Sequence, residues 1–318
     1  MPSRPGNTPS GPRAAPSRPG GTPYRLGRGL WTILATPFTA TGEVDHDSMA
    51  RQVDFAREAG ADGLVALGVF GEAAALTLAE QRSVARIVAA QAQGMPLVLG
   101  LAGRSSAVAI EQATSALEGA GTPASLMVQV HSSDIDVVVT HLQAIHRATG
   151  AAVVLQDYPL VSGVRISPSQ ILQVVGQCDF VAAIKAEAPP TAPAIARLVA
   201  GCDVPVFGGL GGVGLVDELA MGAAGAMTGF SHPEGLRATI DAFASGGFTA
   251  ARAAWGPWLP LANFEGQLGI GLALRKALLH RRGVLDHPAV RLPAPGVPEE
   301  LTGLLDQHLA AVPVTGGH

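Results

Sequence analysis

Eight short apolar runs alternate with amphipathic stretches from residue 29 onward, and this alternation restricts the fold more than any other feature. The apolar runs cover residues 30–38, 63–69, 96–101, 125–130, 153–158, 180–187, 205–209 and 226–230. The stretches between the early runs, at 47–59, 77–92, 107–120, 137–149 and 167–177, carry apolar residues at the spacing typical of helices. Eight strand-then-helix units in about 250 residues predict an α/β fold, a (β/α)8 TIM barrel with its active site at the carboxyl ends of the strands.

A doubly wound open sheet is the alternative fold. It would be favoured by a G-x-G-x-x-G turn after the first strand, and the sequence has no such turn there. Beyond residue 232 the helical pattern recurs at 233–244, 249–261, 269–282 and 298–310. We therefore expect a barrel core over 29–232. The last barrel helix and a C-terminal helical extension, residues 233–312, should pack on the same domain.

Residues 1–28 differ in composition from the rest of the chain. They are rich in proline, serine, glycine and arginine and contain no apolar run of the kind that a signal peptide needs. Their prolines and glycines also oppose an amphipathic transit helix. We expect a disordered tail, because this composition offers too little apolar burial to offset the entropy of ordering.

Charge and cysteine content limit the possible partners and compartment. The formal net charge of −4 leaves no basic footprint for nucleic acid. No apolar run reaches ~18 residues without glycine, proline or charge, so we expect no membrane span. Cys178 and Cys202 are too few for a disulfide framework. These features predict a cytoplasmic protein that acts on a small molecule.

Lys185 and Glu187 stand at the end of the apolar run 180–187. Strand side chains alternate between faces, so residues two apart point the same way. An amine in an apolar mouth becomes a usable nucleophile toward a keto group, and a neighbouring carboxylate can move protons. An ordinary ion pair at a strand end is the alternative. The barrel context favours Schiff-base chemistry.

Several segments resemble a known family in both order and spacing. They are Ala35-Thr-Pro-Phe38, Gly68-Val-Phe-Gly-Glu72, Gln156-Asp-Tyr-Pro159, Ile184-Lys185 and Gly225-Ala-Met-Thr-Gly229. Over residues 29–312 the chain resembles the dihydrodipicolinate synthase and N-acetylneuraminate lyase superfamily. The pair Lys185-x-Glu187, the run 156–159 and the segment 258–265 are most similar to the 2-keto-3-deoxy sugar acid dehydratases, notably those acting on L-2-keto-3-deoxyarabonate.

The resemblance implies that Lys185 forms an imine with the C2 carbonyl of a 2-keto acid. The imine is an electron sink, so no metal and no organic cofactor is expected. An enamine formed from it can expel a hydroxyl from C4, which is dehydration, or take part in making or breaking a C–C bond, which is aldol chemistry. The resemblance also implies a homodimer or homotetramer.

Further site residues follow from the resemblance and from strand geometry. Main-chain N–H groups of Val69 and Phe70 are expected to bind the substrate carboxylate. Glu187 is the first candidate for proton transfer and Tyr158 the second. Gln156 would orient a keto or hydroxyl oxygen. The remaining predictions are room for the substrate beside Gly209 and a substrate contact at Thr228. Glu72 is interpreted as a helix-end charge in preference to a catalytic group, and His131 as a solvated loop histidine in preference to a site base.

The sequence also departs from the family. Val69, Phe70 and Gln156 occupy positions where many members carry a threonine or tyrosine proton relay, and Val161 replaces the arginine that binds a second carboxylate in dihydrodipicolinate synthase. A dehydratase of a 2-keto-3-deoxy sugar acid is therefore the first hypothesis. A pyruvate-dependent class I aldolase is the second, and a barrel that binds a keto acid without turnover is the third.

Overall fold

The computed structural model describes residues 25–313, and their eight strands form one parallel sheet. The order in space is β7-β6-β5-β4-β3-β2-β1-β8. The strands are β1 (Gly29–Ile33), β2 (Gly63–Ala66), β3 (Leu97–Gly100), β4 (Ser125–Gln129), β5 (Val153–Asp157), β6 (Val181–Ala186), β7 (Val206–Phe207) and β8 (Gly225–Thr228). The sheet closes between β7 and β8, where Met227 N–H donates to Gly208 O at 2.9 Å and Ala224 N–H donates to Val206 O at 2.7 Å. The predicted (β/α)8 barrel is confirmed.

Helices connect the strands and continue after β8. They are α1 (His46–Glu58), α2 (Leu78–Gln91), α3 (Ser106–Ala120), α4 (Ile135–Thr149), α5 (Pro159–Ser162), α6 (Pro168–Gln177), α7 (Thr191–Gly201), α8 (Leu215–Ala220), α9 (Pro233–Trp255), α10 (Leu259–Glu265), α11 (Gly271–Arg281) and α12 (Thr302–Ala311). Side chains cap several helix starts. The side chains of Thr77 and Ser167 each accept a hydrogen bond from the backbone N–H three residues on. The side chains of Glu80 and Gln170 in turn accept from the backbone N–H of Thr77 and Ser167.

Apolar side chains fill both faces of the sheet. Inside the barrel, Trp31 packs edge-on to Phe207 with ring centroids 6.4 Å apart. A Cβ at position 63 would lie 2.4 Å from the indole of Trp31, so the start of β2 needs glycine. A larger core lies between the strands and the surrounding helices. Most buried polar side chains of the strands lie in the last two positions of their strands, at the carboxyl end of the barrel, whereas Ser125 lies at the start of β4.

Residues 25–28 contact the barrel and do not behave as part of a tail. Leu26 is buried, and its N–H donates to Ala182 O at 3.2 Å. The Arg28 side chain donates to Ala223 O at 2.9 Å. The packed part of the chain thus begins by residue 25, while residues 1–24 of the predicted tail lie outside the described residues.

Several predicted runs are longer than the strands they contain, and two predictions differ most from the structure. The first strand ends at Ile33 rather than residue 38, since the side chain of Gln52 takes over the backbone pairing: Ala35 N–H donates to its Oε1 at 2.7 Å and its Nε2 donates to Ala35 O at 2.9 Å. The helices predicted at 233–244 and 249–261 are instead the long α9, bent at Gly247 with φ +67°, and the short α10. Segment 34–38 stays apolar and buried, so its composition alone does not mark the strand end.

Candidate active site

Lys185 and Glu187 lie together at the carboxyl end of β6. Lys185 shares the interior face of the barrel with Ala183, because side chains alternate along the strand. Its Nζ atom lies 3.0 Å from Oε2 of Glu187, and each side chain is only 5% exposed. A buried amine and carboxylate at hydrogen-bond distance can exchange a proton directly.

Glu187 is held by groups from two other strands. Gln156, on β5, donates from Nε2 to Oε2 of Glu187 at 2.7 Å. The N–H of Leu210, after β7, donates to Oε1 at 3.2 Å. Both carboxylate oxygens therefore have donors, which fixes the carboxylate beside the amine.

The glycine run after β7 makes room for side chains of the protein itself. A Cβ at Gly209 would lie 2.1 Å from Glu187 Oε1, and one at Gly208 would lie 1.7 Å from Oε2 of Glu218. Carboxylates of the protein therefore occupy the side-chain positions of both glycines. A backbone contact between Gly209 and substrate stays a prediction.

The loop after β2 offers unpaired backbone donors. Among residues 25–313, the N–H groups of Val69 and Phe70 have no hydrogen-bond acceptor. The loop is fixed at its ends, as Glu72 N–H donates to Val69 O at 3.0 Å and Thr36 Oγ1 donates to Gly71 O at 2.6 Å. Two free donors on a fixed loop suit an anion such as a carboxylate.

Thr228 and Phe70 meet on the β8 side of the mouth. Thr228 Oγ1 accepts from Gly211 N–H at 2.8 Å, which leaves its hydroxyl hydrogen for another acceptor. The Phe70 ring lies against Gly229, where a Cβ would come within 2.5 Å of the ring. Thr228 is buried and has no direct contact with Lys185 or Glu187 among the hydrogen bonds of residues 25–313.

Tyr158 follows β5 and lies near the charged centre. Burial raises the pKa of its hydroxyl, the Glu187 carboxylate raises it further, and the Arg275 guanidinium opposes the change. A phenol with a raised pKa stays protonated at neutral pH and so can donate a hydrogen bond or a proton. It shares the mouth with Glu187 without bonding to it directly.

A cavity of about 360 Å³ opens at the carboxyl ends of β2 to β5. Of the site residues considered in the sequence analysis, Val69, Glu72 and Gln156 line it, whereas Lys185 and Glu187 do not. His131 and Arg104 also line it, and burial lowers the pKa of His131, with Arg104 and His141 acting in the same direction. His131 is therefore a neutral group at the edge of the cavity.

Two carboxyl groups that are buried near the site were not predicted from the sequence. Asp157 lies beside Gln156 on β5; burial raises its pKa to about 6, and Glu187 adds to the rise. Glu218, on α8, accepts from Thr191 Oγ1 at 2.7 Å, and burial raises its pKa to about 7. Asp157 lies within the segment 156–159 but was given no role there, and Glu218 lies in a helical run without any motif.

The chain contains two lysines, and the second one is also buried. Lys276, on α11, donates to Glu72 and to Ala289 O, the latter at 2.7 Å. Glu72 in turn accepts from Arg291 N–H at 2.7 Å. These bonds tie the loop after β2 to the C-terminal segment, so Glu72 serves this pairing and Lys276 is not free for chemistry.

Residues 25–313 contain no group of three or more histidine, cysteine, aspartate or glutamate side chains arranged to hold a metal ion. No helix in the same range is long and apolar enough to cross a membrane.

The model of the dihydrodipicolinate synthetase family matches residues 27–311. The chain belongs to this family. Family members are lyases, and the chain is a lyase of this family. It is 29% identical over 276 residues to the L-2-keto-3-deoxyarabonate dehydratase of Azospirillum brasilense, an alignment that covers 84% of this chain and 89% of that protein.

Other members of the dihydrodipicolinate synthetase family are similar over the same length. The 4-hydroxy-tetrahydrodipicolinate synthase of Mycolicibacterium paratuberculosis is 31% identical over 292 residues, which cover 90% of this chain and 95% of that protein. The crystal structure of dihydrodipicolinate synthase from Rhodopseudomonas palustris has a TM-score of 0.85 at 28% identity, with 91% of this chain and all of that chain covered. These likenesses agree with the barrel and with the family.

Proposed function

We propose that the chain dehydrates a 2-keto-3-deoxy sugar acid through an imine on Lys185. Three side chains support this function most directly: Lys185 and Glu187 lie 3.0 Å apart in a buried mouth, and Gln156 holds the same carboxylate at 2.7 Å. A nucleophilic amine and an acid–base group are thereby fixed on one face of the barrel. The relative from Azospirillum brasilense, named for such a dehydration, adds support.

Lys185 begins the reaction by attacking the C2 carbonyl carbon. The amine nitrogen forms a bond to C2, the carbonyl oxygen leaves as water, and a protonated imine results. Glu187, 3.0 Å away, can take the proton that the amine loses and return it to the departing oxygen. Val69 and Phe70 would hold the C1 carboxylate through their free N–H groups while this occurs.

Glu187 then moves the proton that dehydration requires. It takes the C3 proton, and the C3–H electron pair becomes the C2=C3 bond of an enamine while the imine nitrogen accepts the displaced pair. The enamine next forms C3=C4 and expels the C4 hydroxyl, which leaves as water with the same proton. Water finally hydrolyses the unsaturated imine and frees Lys185.

A pyruvate-dependent aldolase is the second candidate function. It is favoured by the 31% identity to a 4-hydroxy-tetrahydrodipicolinate synthase. Both functions share the Lys185 imine, so products separate them. Loss of water from a 2-keto-3-deoxy acid identifies the dehydratase, whereas release or consumption of an aldehyde with pyruvate identifies the aldolase.

The deciding experiment combines borohydride trapping with two variants. The wild-type protein, incubated with pyruvate or 2-keto-3-deoxy acids, should gain one reducible adduct that peptide mass spectrometry assigns to position 185. Lys185→Ala should lose both the adduct and turnover. Glu187→Gln should keep the adduct but lose about 10²- to 10⁴-fold in dehydration, the range for a general acid–base group.

Lys276 is the internal control, because it is the other lysine of the chain and peptide mass spectrometry of the wild-type protein should find no adduct on it. An adduct that persists in Lys185→Ala would disprove the imine assignment. Full turnover in Glu187→Gln would transfer the proton step to another group, such as Tyr158.

A further inference from the structure

Arg275 is a largely buried cation whose guanidinium is mostly unpaired. Its side chain is 14% exposed, and its Nε atom lies 3.3 Å from Oε2 of Glu265. Among residues 25–313, no acceptor takes a well-formed hydrogen bond from any nitrogen of this guanidinium. The Nε atom is fully buried, whereas the terminal nitrogens Nη1 and Nη2 keep some exposure and offer four N–H donors that an incoming ligand can reach.

Other buried or partly buried cations of the C-terminal region are bonded to acceptors at their charged ends. Lys276 donates to Glu72 and Ala289 O, and Arg282 donates to Glu234 at 2.7 Å and to Ser231 O. Arg291 donates to Glu80 at 2.8 Å and to Gly42 O at 2.9 Å. Arg275 differs from all three because its terminal nitrogens lack a protein partner.

The guanidinium lies over the mouth of the barrel. Its central carbon is 5.3 Å from the centre of the Phe70 ring, in the loop that presents the free N–H groups. A Cβ at Gly211 would lie 2.7 Å from its Nη2. Gly211 follows Leu210, whose N–H binds Glu187. Arg275 thus lies between the loop after β2 that carries the free N–H groups and the segment after β7 that holds Glu187.

Glu265 fixes the orientation of Arg275. Its carboxylate is fully buried and also accepts from the backbone N–H of Ser231, at 3.3 and 3.2 Å, and from its hydroxyl. It meets the guanidinium only at Nε, so the Nη1–Nη2 edge stays available. Two parallel N–H donors on one edge match the two oxygens of a carboxylate.

We propose that Arg275 binds a second carboxylate, at the end of the substrate remote from the keto group. The inference rests on the proposed function and narrows its substrate class to 2-keto-3-deoxy acids with a carboxylate at both ends. A hydroxymethyl end could accept from only one of the two terminal nitrogens and would bring no negative charge to them. Arg275 is therefore a specificity-determining residue.

The test uses keto acids that can form an imine but have no C4 hydroxyl to expel. The probes are 2-oxoglutarate and 2-oxoadipate, compared with 2-oxopentanoate and 2-oxohexanoate of equal length, and pyruvate as the reference. Borohydride trapping is measured by intact mass against probe concentration. In the wild type, a diacid should half-saturate at a concentration about 10- to 100-fold lower than its matched monoacid, as expected for a charge-assisted bidentate contact.

In Arg275→Met this advantage, measured as the ratio of the two half-saturation concentrations within the variant, should disappear because neither probe can then form the bidentate contact. Pyruvate has no remote end, so its trapping reports how far the substitution disturbs the imine site itself. Arg275→Lys keeps the positive charge but not the two parallel N–H donors, and it should retain only part of the diacid advantage. Arg281→Met is the control on the same helix; its Nε is paired with Asp306 at 2.6 Å, and the diacid advantage should persist. The melting temperature of each variant checks its fold.

Equal saturation by diacid and monoacid at both lengths would overturn the role of Arg275, as would a diacid advantage that survives in Arg275→Met and Arg275→Lys. Pyruvate trapping without dehydration of any sugar acid would instead reject the proposed dehydration, and the trapping comparison would still decide Arg275. Failure of the wild type to trap pyruvate would reject both.

Discussion

The carboxylate of Glu187 occupies the space that a side chain at Gly209 would need, since an ideal Cβ there would lie 2.1 Å from Oε1. The φ of Gly209 is −140°, so the need for glycine at this position comes from the neighbouring carboxylate and not from a left-handed backbone. The identity of residue 209 therefore controls where the proposed proton-transfer group sits.

Gly209→Ala should displace Glu187 from Lys185 and slow dehydration by about 100-fold, the loss expected when a reacting group moves by about 1 Å. Imine formation with pyruvate should persist, because Lys185 is untouched. Single-turnover dehydration and borohydride trapping measure the two steps separately. Gly176→Ala is the control, as a Cβ there has no heavy atom within 4 Å; equal rates in the two variants would contradict the steric role.

The central pair was predictable and the outer ion pairs were not. Lys185 and Glu187 are two apart on a strand, so alternation alone puts them on one face, and Gln156 follows from the adjacent strand. In contrast, Lys276 and Glu72 are 204 residues apart and meet only because α11 packs over the barrel mouth. Glu265 and Arg275 come from consecutive short helices whose angle no residue pattern specifies.

Glu218 should make the free energy of unfolding fall as pH rises. Its folded pKa is about 7, raised from 4.5 mainly by burial, so the folded state binds the proton more tightly than the unfolded state does. The associated stability is present below pH 4.5 and is lost as pH rises to about 7, a change of about 3 kcal/mol. Urea unfolding at a series of pH values measures it.

Glu218→Gln keeps the size of the side chain and the hydrogen bond from Thr191 but does not titrate. The decline in stability between pH 5 and about 7 should therefore be shallower in this variant than in the wild type. An identical slope in both proteins would show that Glu218 is not held protonated by the fold.

Removing one partner of the buried pair of Lys276 and Glu72 should lower the free energy of unfolding strongly. Lys276→Met leaves the Glu72 carboxylate, 7% exposed, without its cation. We expect a loss of about 3–5 kcal/mol in unfolding free energy, as for other buried pairs cut on one side. The double variant Glu72→Gln with Lys276→Met also removes the unpaired carboxylate charge and should recover much of the lost unfolding free energy. Denaturant unfolding decides, and a double variant no more stable than Lys276→Met would refute the pairing argument.

Gln156 should matter for the proton step and not for imine formation. Gln156→Leu keeps a similar volume but removes the 2.7 Å hydrogen bond to Glu187, so the carboxylate loses one of the donors that fix it. Dehydration should fall by about 10- to 100-fold, the range for a hydrogen bond to a charged group, while pyruvate trapping stays near the wild-type rate.

Gln129→Leu is the matched variant: Gln129 pairs with Gln156 across β4 and β5, and its buried Oε1 has no hydrogen-bond partner among residues 25–313. Its effect on dehydration should be much smaller. Equal losses in the two variants would mean that the amides act by filling space, and the orienting role of Gln156 would have to be abandoned.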